Sequence, residues 1–202
     1  INMRPSLFKY VSGSLCVLVL AACATPSSKV PTAWQAQSEI ADFAADGRLA
    51  VKVNEKGSYA NFDWTHQNQV QTIDVNTPLG NTVGQLCQDS KGALAVNSKN
   101  EVFYAATAPA LSEQLLGFAL PVEYLHVWAS GQRVDNAAYQ VLPNGRLQQF
   151  EWTISRQLRA DGTPKVLLLE STKLTLKLVF DHMEMLPADA TAPKLCAARV
   201  QA

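Results

Sequence analysis

The sequence predicts a mainly β domain of the α+β class, one large antiparallel sheet that curls toward a barrel, or an incomplete one capped by helices. Three observations predict it. Beyond Gly47 apolar and polar residues alternate with a period of two, in short runs separated by Gly, Asn, Asp and Lys. The alternation breaks once, for two segments with helix-stop glycines, and one further segment of helical spacing precedes the first strand. So many strands with one apolar face favour curling over a flat sheet.

The chain begins with a cationic stretch carrying Arg4 and Lys9, followed by an apolar run from Val11 to Leu20. Crossing a bilayer needs roughly 20 apolar residues; a signal-peptide core needs only about 7–15. Leu20-Ala21-Ala22-Cys23 resembles the lipobox of bacterial lipoproteins. That resemblance implies cleavage after residues 1–22, a diacylglyceryl group on the Cys23 thiol and an acyl group on its amine. Ala24, where an aspartate would favour retention in the inner membrane, implies an outer-membrane destination. Residues 23–32, rich in Thr, Pro, Ser and Lys, read as a flexible tether. The folded domain is expected over residues 33–186.

Trp34 to Ala45 lacks Gly and Pro and places Trp34, Ile40, Ala41 and Ala44 near one side, which predicts a short helix stopped at Asp46-Gly47. Leu49, Val51 and Val53 then alternate with Arg48, Ala50 and Lys52; after a turn at 54–57, Ala60, Phe62 and Trp64 alternate with Tyr59, Asn61 and Asp63. Residues 69–76, 83–88, 93–98 and 101–106 continue a meander. Residues 110–116, ended by Gly117, and 122–130, opened by Pro121 and ended by Gly131, are helical. Their apolar faces carry Leu111, Leu115, Val122, Leu125 and Trp128. Strands resume at 139–142. Phe150, Trp152 and Ile154 form one face of the next, 165–170 follows, and Leu174, Leu176, Leu178 and Phe180 alternate in the last. Residues 187–202, rich in Ala and Pro, read as a disordered tail. The pattern alone does not separate a packed core from a cavity lining, and a plain core is the simpler reading.

Little in the composition points to catalysis. Lys plus Arg and Asp plus Glu both number 17, with no basic stripe of the kind nucleic-acid binding requires. His66, His126 and His182 fall in unrelated segments without metal-ligand spacing. There is no nucleophile elbow, zinc-protease helix, phosphate loop or dinucleotide fingerprint, so no enzyme activity, metal or cofactor is expected. Cys16 leaves with the signal. Cys87 and Cys196 are read as two unpaired thiols or as a bridge pinning the tail to the sheet, the unpaired state being the simpler expectation.

The order of several short motifs is more specific than any one of them. Trp34 is followed by Gly47-Arg48-Leu49-Ala50-Val51, Ala60-Asn61-Phe62-Asp63-Trp64 and Thr77-Pro78-Leu79-Gly80, then Gly117 to Pro121, Leu125-His126-Val127-Trp128-Ala129-Ser130-Gly131 and Trp152. In order and spacing this resembles the LolB family of outer-membrane lipoprotein receptors over nearly the whole mature domain. The resemblance implies a half-open barrel with a helical lid around an apolar cavity. It also implies a monomer that takes acylated lipoproteins from a LolA-like periplasmic carrier and inserts them into the outer membrane without nucleotide hydrolysis. Candidate cavity residues are Leu49, Val51, Phe62, Trp64, Phe150, Trp152, Leu174, Leu176 and Leu178, with Leu115, Leu125 and Trp128 from the lid. Leu79, in a turn between strands, is either solvent-exposed or folded onto the sheet edge; the family's matching leucine acts at the membrane step. Two other readings keep the lipobox: a lipoprotein binding a lipid or another apolar ligand, and a structural outer-membrane assembly lipoprotein.

Overall fold

The structure is a computed structural model and describes residues 33–200. The expected signal peptide, Cys23 and the tether at 23–32 lie outside the described residues. Eleven strands form one sheet: β2 (Phe43–Val53), β3 (Lys56–Gln67), β4 (Val70–Asn76), β5 (Thr82–Asp89), β6 (Gly92–Asn97), β7 (Val102–Ala105), β9 (Tyr139–Val141), β10 (Leu147–Gln149), β11 (Trp152–Leu158), β12 (Pro164–Glu170) and β13 (Leu174–Met185). Their order is β7-β6-β5-β4-β3-β2-β13-β12-β11-β10-β9, and every neighbouring pair is antiparallel. The first and last strands of this order do not pair, so the barrel stays half open. A two-residue β1 (Gln35–Ala36) pairs in parallel with β8 (Gln132–Arg133).

Between the two halves of the sheet lie α1 (Ala108–Leu116) and α2 (Val122–Ala129). Thr107 caps α1 through its hydroxyl, which accepts from the Ala110 N–H, and Gly117 ends it in the left-handed region at φ 80°. Helix α1 lies against β6 and β7, and α2 against β8 and β12. Both are short enough that packing, not helix propensity, must hold them.

One register fixes the inner face. Leu174, Leu176, Leu178 and Phe180 of β13 stand opposite Val53, Val51, Leu49 and Gly47 of β2, and Phe62 and Trp64 of β3 stand opposite Gly47 and Ala45. The ladder slips between Phe180 and His182, leaving Asp181 as an extra residue. A Cβ at Gly47 would sit 2.0 Å from the Val179 carbonyl oxygen, so this close backbone approach requires glycine.

Three sequence expectations are corrected here. Trp34 to Ala45 is not a helix: after β1 the chain runs irregularly to Asp42 and then enters β2 at Phe43. Phe43 and Ala45 continue the inward alternation, and β2 pairs along its full length with both β3 and β13, so tertiary pairing overrides the helix-favouring alanines. Trp34 is buried in its own right, its indole N–H donating to the Gly145 carbonyl. The tail beyond Pro187 is not loose either. Cys196 is bridged to Cys87, so the two thiols expected to be unpaired are joined across the fold, and the segment includes a short helix, α3 (Ala197–Val200). Cys87, Leu94 and Cys196 form a small apolar cluster on the outer face of the sheet. The Asp89 carboxylate accepts from the Cys196 backbone N–H and from Arg199 Nε.

Candidate functional site

The concave face carries one apolar core. Phe62, Trp64, Trp152, Leu174, Leu176 and Leu178 from the sheet meet Leu125 and Trp128 from α2, all nearly inaccessible to solvent. Leu49 and Val51 lie on the same face but only half-buried, as do Val53, Ile73, Leu86 and Phe103. The lid is therefore down over one part of the interior, while the part toward the β4–β5 turn is incompletely covered. A pocket of about 250 Å³ remains where the α1–α2 connection meets the β10–β11 turn, lined by Leu120, Tyr124, Phe150 and Trp152.

Two candidate lining residues fall outside this interior. Phe150 is 52% exposed and lies in the β10–β11 turn at φ 54°, which breaks the expected alternation. Its ring stacks on Tyr124 at 4.8 Å, on the rim of the lid. Leu115 is 40% exposed in the last turn of α1, whose buried residues are Ala108, Leu111 and Ser112.

Two buried glutamines tie α2 to the sheet. Gln71 of β4 accepts from Trp64 Nε1 and donates to the Val122 carbonyl at the start of α2. Gln149 of β10 accepts from Trp128 Nε1 and from the Val134 N–H, and donates to the Val134 carbonyl. Both satisfy otherwise stranded indole donors inside an apolar core, where an unmet polar group costs about 1–3 kcal/mol. The sequence reading missed them, although Gln71 shares the inward parity of Ile73 and a glutamine there is the available signal. His66 and His126 stack at 4.8 Å beside this latch. Burial, with the neighbouring His66 adding to it, lowers His126 to about 4, and burial lowers His66 against the opposing pull of Asp42.

Leu79 is 89% exposed at the tip of the β4–β5 turn. The Gly80 N–H donates to the Thr77 carbonyl and the Thr77 N–H to the Asn81 carbonyl, with Gly80 at φ 86°: a three-residue hairpin loop built on a left-handed glycine. Three more hairpins show the same pair of bonds, Asn97–Glu101, Leu142–Arg146 and Arg159–Thr163. They place Lys99, Asn144 and Asp161 where this one places Leu79.

No group of three or more His, Cys, Asp or Glu among the described residues is placed to hold a metal ion. Fold and site together define a class, a half-open antiparallel barrel with an apolar interior under a helical lid. The sequence profile of the family described as "Outer membrane lipoprotein LolB" matches residues 41–182. Proteins named outer-membrane lipoprotein LolB are similar along most of their length. That of Neisseria meningitidis is 47% identical, covering 96% of this chain and 100% of its own. That of Chromobacterium violaceum is 31% identical over 80% of this chain and 91% of its own. Among solved structures, a LolA-superfamily protein from Nitrosomonas europaea aligns with a TM-score of 0.43 and 6% identity, covering 78% of this chain and 92% of that one. The chain belongs to the LolB family of outer-membrane lipoproteins.

Proposed function

We propose that this chain receives lipoproteins from a LolA-like periplasmic carrier into its apolar interior and inserts them into the outer membrane without nucleotide hydrolysis. Lipid on Cys23 holds the domain at the periplasmic face, residues 23–32 act as a tether, and Leu79 acts at the bilayer. The observation that carries the reading is the roof. An apolar concave face is partly roofed by two short helices, one of them latched by Gln71 and Gln149, and these helices are separate from the strand ladder. Lifting them exposes a dry surface without breaking the sheet. Acyl chains gain about 0.8 kcal/mol for each CH₂ withdrawn from water, so such a surface can hold them between carrier and bilayer. Direction follows from a rise in affinity from carrier to receptor to membrane.

The test is a two-step transfer without ATP, from a loaded LolA-like carrier to this chain and then from the chain to liposomes. Labelled lipoprotein is expected first to co-purify with the chain and then to float with the vesicles. A chain that never acquires cargo from the loaded carrier overturns the reading.

A further inference from the structure

Among the described residues, six buried side-chain nitrogen or oxygen atoms have no hydrogen-bond partner in the protein. Three of them, His66 Nδ1, Gln88 Oε1 and His126 Nδ1, belong to residues that line a single cleft of about 1110 Å³. The β3–β4 and β5–β6 turns border this cleft, so it opens at the end of the sheet opposite the Leu79 turn. Its floor adjoins the apolar core. His66, only 7% exposed, stacks between Phe43 at 5.5 Å and His126 at 4.8 Å, and Gln71 joins the same floor to Trp64 and α2.

The chemistry of the cleft selects its occupant. Burial keeps both imidazoles neutral, so each offers one donor and one acceptor, and Gln88 adds a buried acceptor. Glu39 and Asp42 lie at the rim, and Asp89 is already committed to Cys196 and Arg199. Lys194 is the cation among the lining residues. A phosphate would meet acidic side chains and neutral rings, with Lys194 the single opposing charge among the lining residues, in a partly dry site. Uncharged esters and amides find donors and acceptors there.

We propose that this cleft holds the uncharged polar head of the acylated cargo. That head comprises the ester and amide groups of its lipidated cysteine and the first peptide bonds after it, while the acyl chains run into the apolar interior. The cleft thereby separates lipoproteins from anionic phospholipids. The inference rests on the receptor reading and adds an orientation to it: head at the cleft, chains toward the Leu79 end.

The complete mature chain in nanodiscs is offered tripalmitoyl-Cys-Ser-Ser peptides carrying a photoreactive group either on the first serine or at an acyl terminus. The head probe is expected to label segments containing His66, Gln88 or His126, and the tail probe segments of β2 and β13. Gln88→Leu should weaken the head-probe peptide about tenfold, the loss of one buried hydrogen bond, while an apolar dye binds unchanged. Glu39→Lys, an exposed change, should admit a headgroup-labelled phosphatidylglycerol that the parent chain excludes. Head-probe labelling near Leu79, or an affinity unmoved by Gln88→Leu, overturns the inference. If the tail probe labels the interior but the head probe misses the cleft, this inference fails and the receptor reading stands. If neither labels the chain, both fail.

Discussion

Leu79 occupies a position where the fold asks nothing of an apolar side chain. Its turn is closed by backbone bonds and the left-handed Gly80, and three hairpins of the same construction carry Lys, Asn or Asp at the corresponding place. Leu79→Glu is therefore expected to change stability by no more than about 0.5 kcal/mol, readable from urea unfolding. At a bilayer the same carboxylate meets a penalty of order 2–3 kcal/mol. The variant should accept cargo from the carrier at the parent rate and stall at transfer to liposomes; equal loss of both steps would make Leu79 part of the carrier contact instead. His126 gives a second residue-scale prediction. Its pKa in the folded protein is about 4, below the ordinary 6.5, so between these values the unfolded chain binds more protons. Stability is full above pH 6.5 and falls as the pH drops toward 4, by roughly 2–3 kcal/mol. His66, lowered by burial in the same way, adds a loss of the same sign. His126→Leu should flatten part of that fall in denaturation midpoints taken at pH 7.5 and 4.5. An unchanged difference between the two would mean that the stacked pair does not set the acid response.

At the scale of elements, the Asn68 amide holds the tail at the Asp189 and Ala192 carbonyls, and two further devices hold its end. The disulfide closes a loop of 109 residues, for which chain entropy gives up to about 4–5 kcal/mol. The Asp89 carboxylate independently binds the Cys196 N–H and Arg199, and although burial opposes its charge, these donors and the Lys91 N–H hold its pKa below the usual carboxylate range. Replacing both Cys87 and Cys196 with serine should lower Tm clearly while leaving the tail docked. Adding Asp89→Asn should then open the tail to trypsin at Lys194. A serine pair melting like the parent would show that the bridge adds nothing. The sequence offered the bridge only as the alternative to two unpaired thiols, and the Asp89 contacts not at all, because each partner lies more than a hundred residues from the other and no local pattern announces it. The strands were legible, since burial on one face imposes a period of two whatever the partner, and so were α1 and α2 through Pro121, Gly117 and Gly131. The segment Trp34 to Ala45 misled because its alanines report helix propensity, whereas β3 and β13 decide the conformation of Phe43 and Ala45. The interior was readable as a face, through Phe62, Trp64 and the leucines of β13. Gln71 and Gln149 were not, because an inward glutamine resembles a surface one until the indole it serves is in place.

On the scale of the whole molecule, the two ends of the sheet have different properties. The Leu79 turn and the half-covered apolar residues Leu49, Val51 and Val53 lie toward one end. The polar cleft lies toward the other, bordered by residues 37–42 of the segment that leads into β2. The lipid proposed at Cys23 is thus joined to the domain through a segment that borders the cleft. Strand β2, of 11 residues, measures roughly 35 Å at about 3.3 Å per residue. Residues 24–32, fully extended, reach roughly 30 Å. Bringing Leu79 to the membrane that holds Cys23 therefore draws on that reach. Deleting residues 25–30 removes roughly 20 Å of it and leaves the sequence of residues 33–186 unchanged. The shortened chain is expected to fold, remain membrane-bound and accept cargo from the carrier, yet release it slowly into its own membrane. Restoring the length with six Gly/Ser residues should restore release, since only reach and flexibility are asked of this segment. Full-rate release by the shortened chain would mean that Leu79 need not meet the anchoring bilayer, and that delivery proceeds from the other end of the sheet.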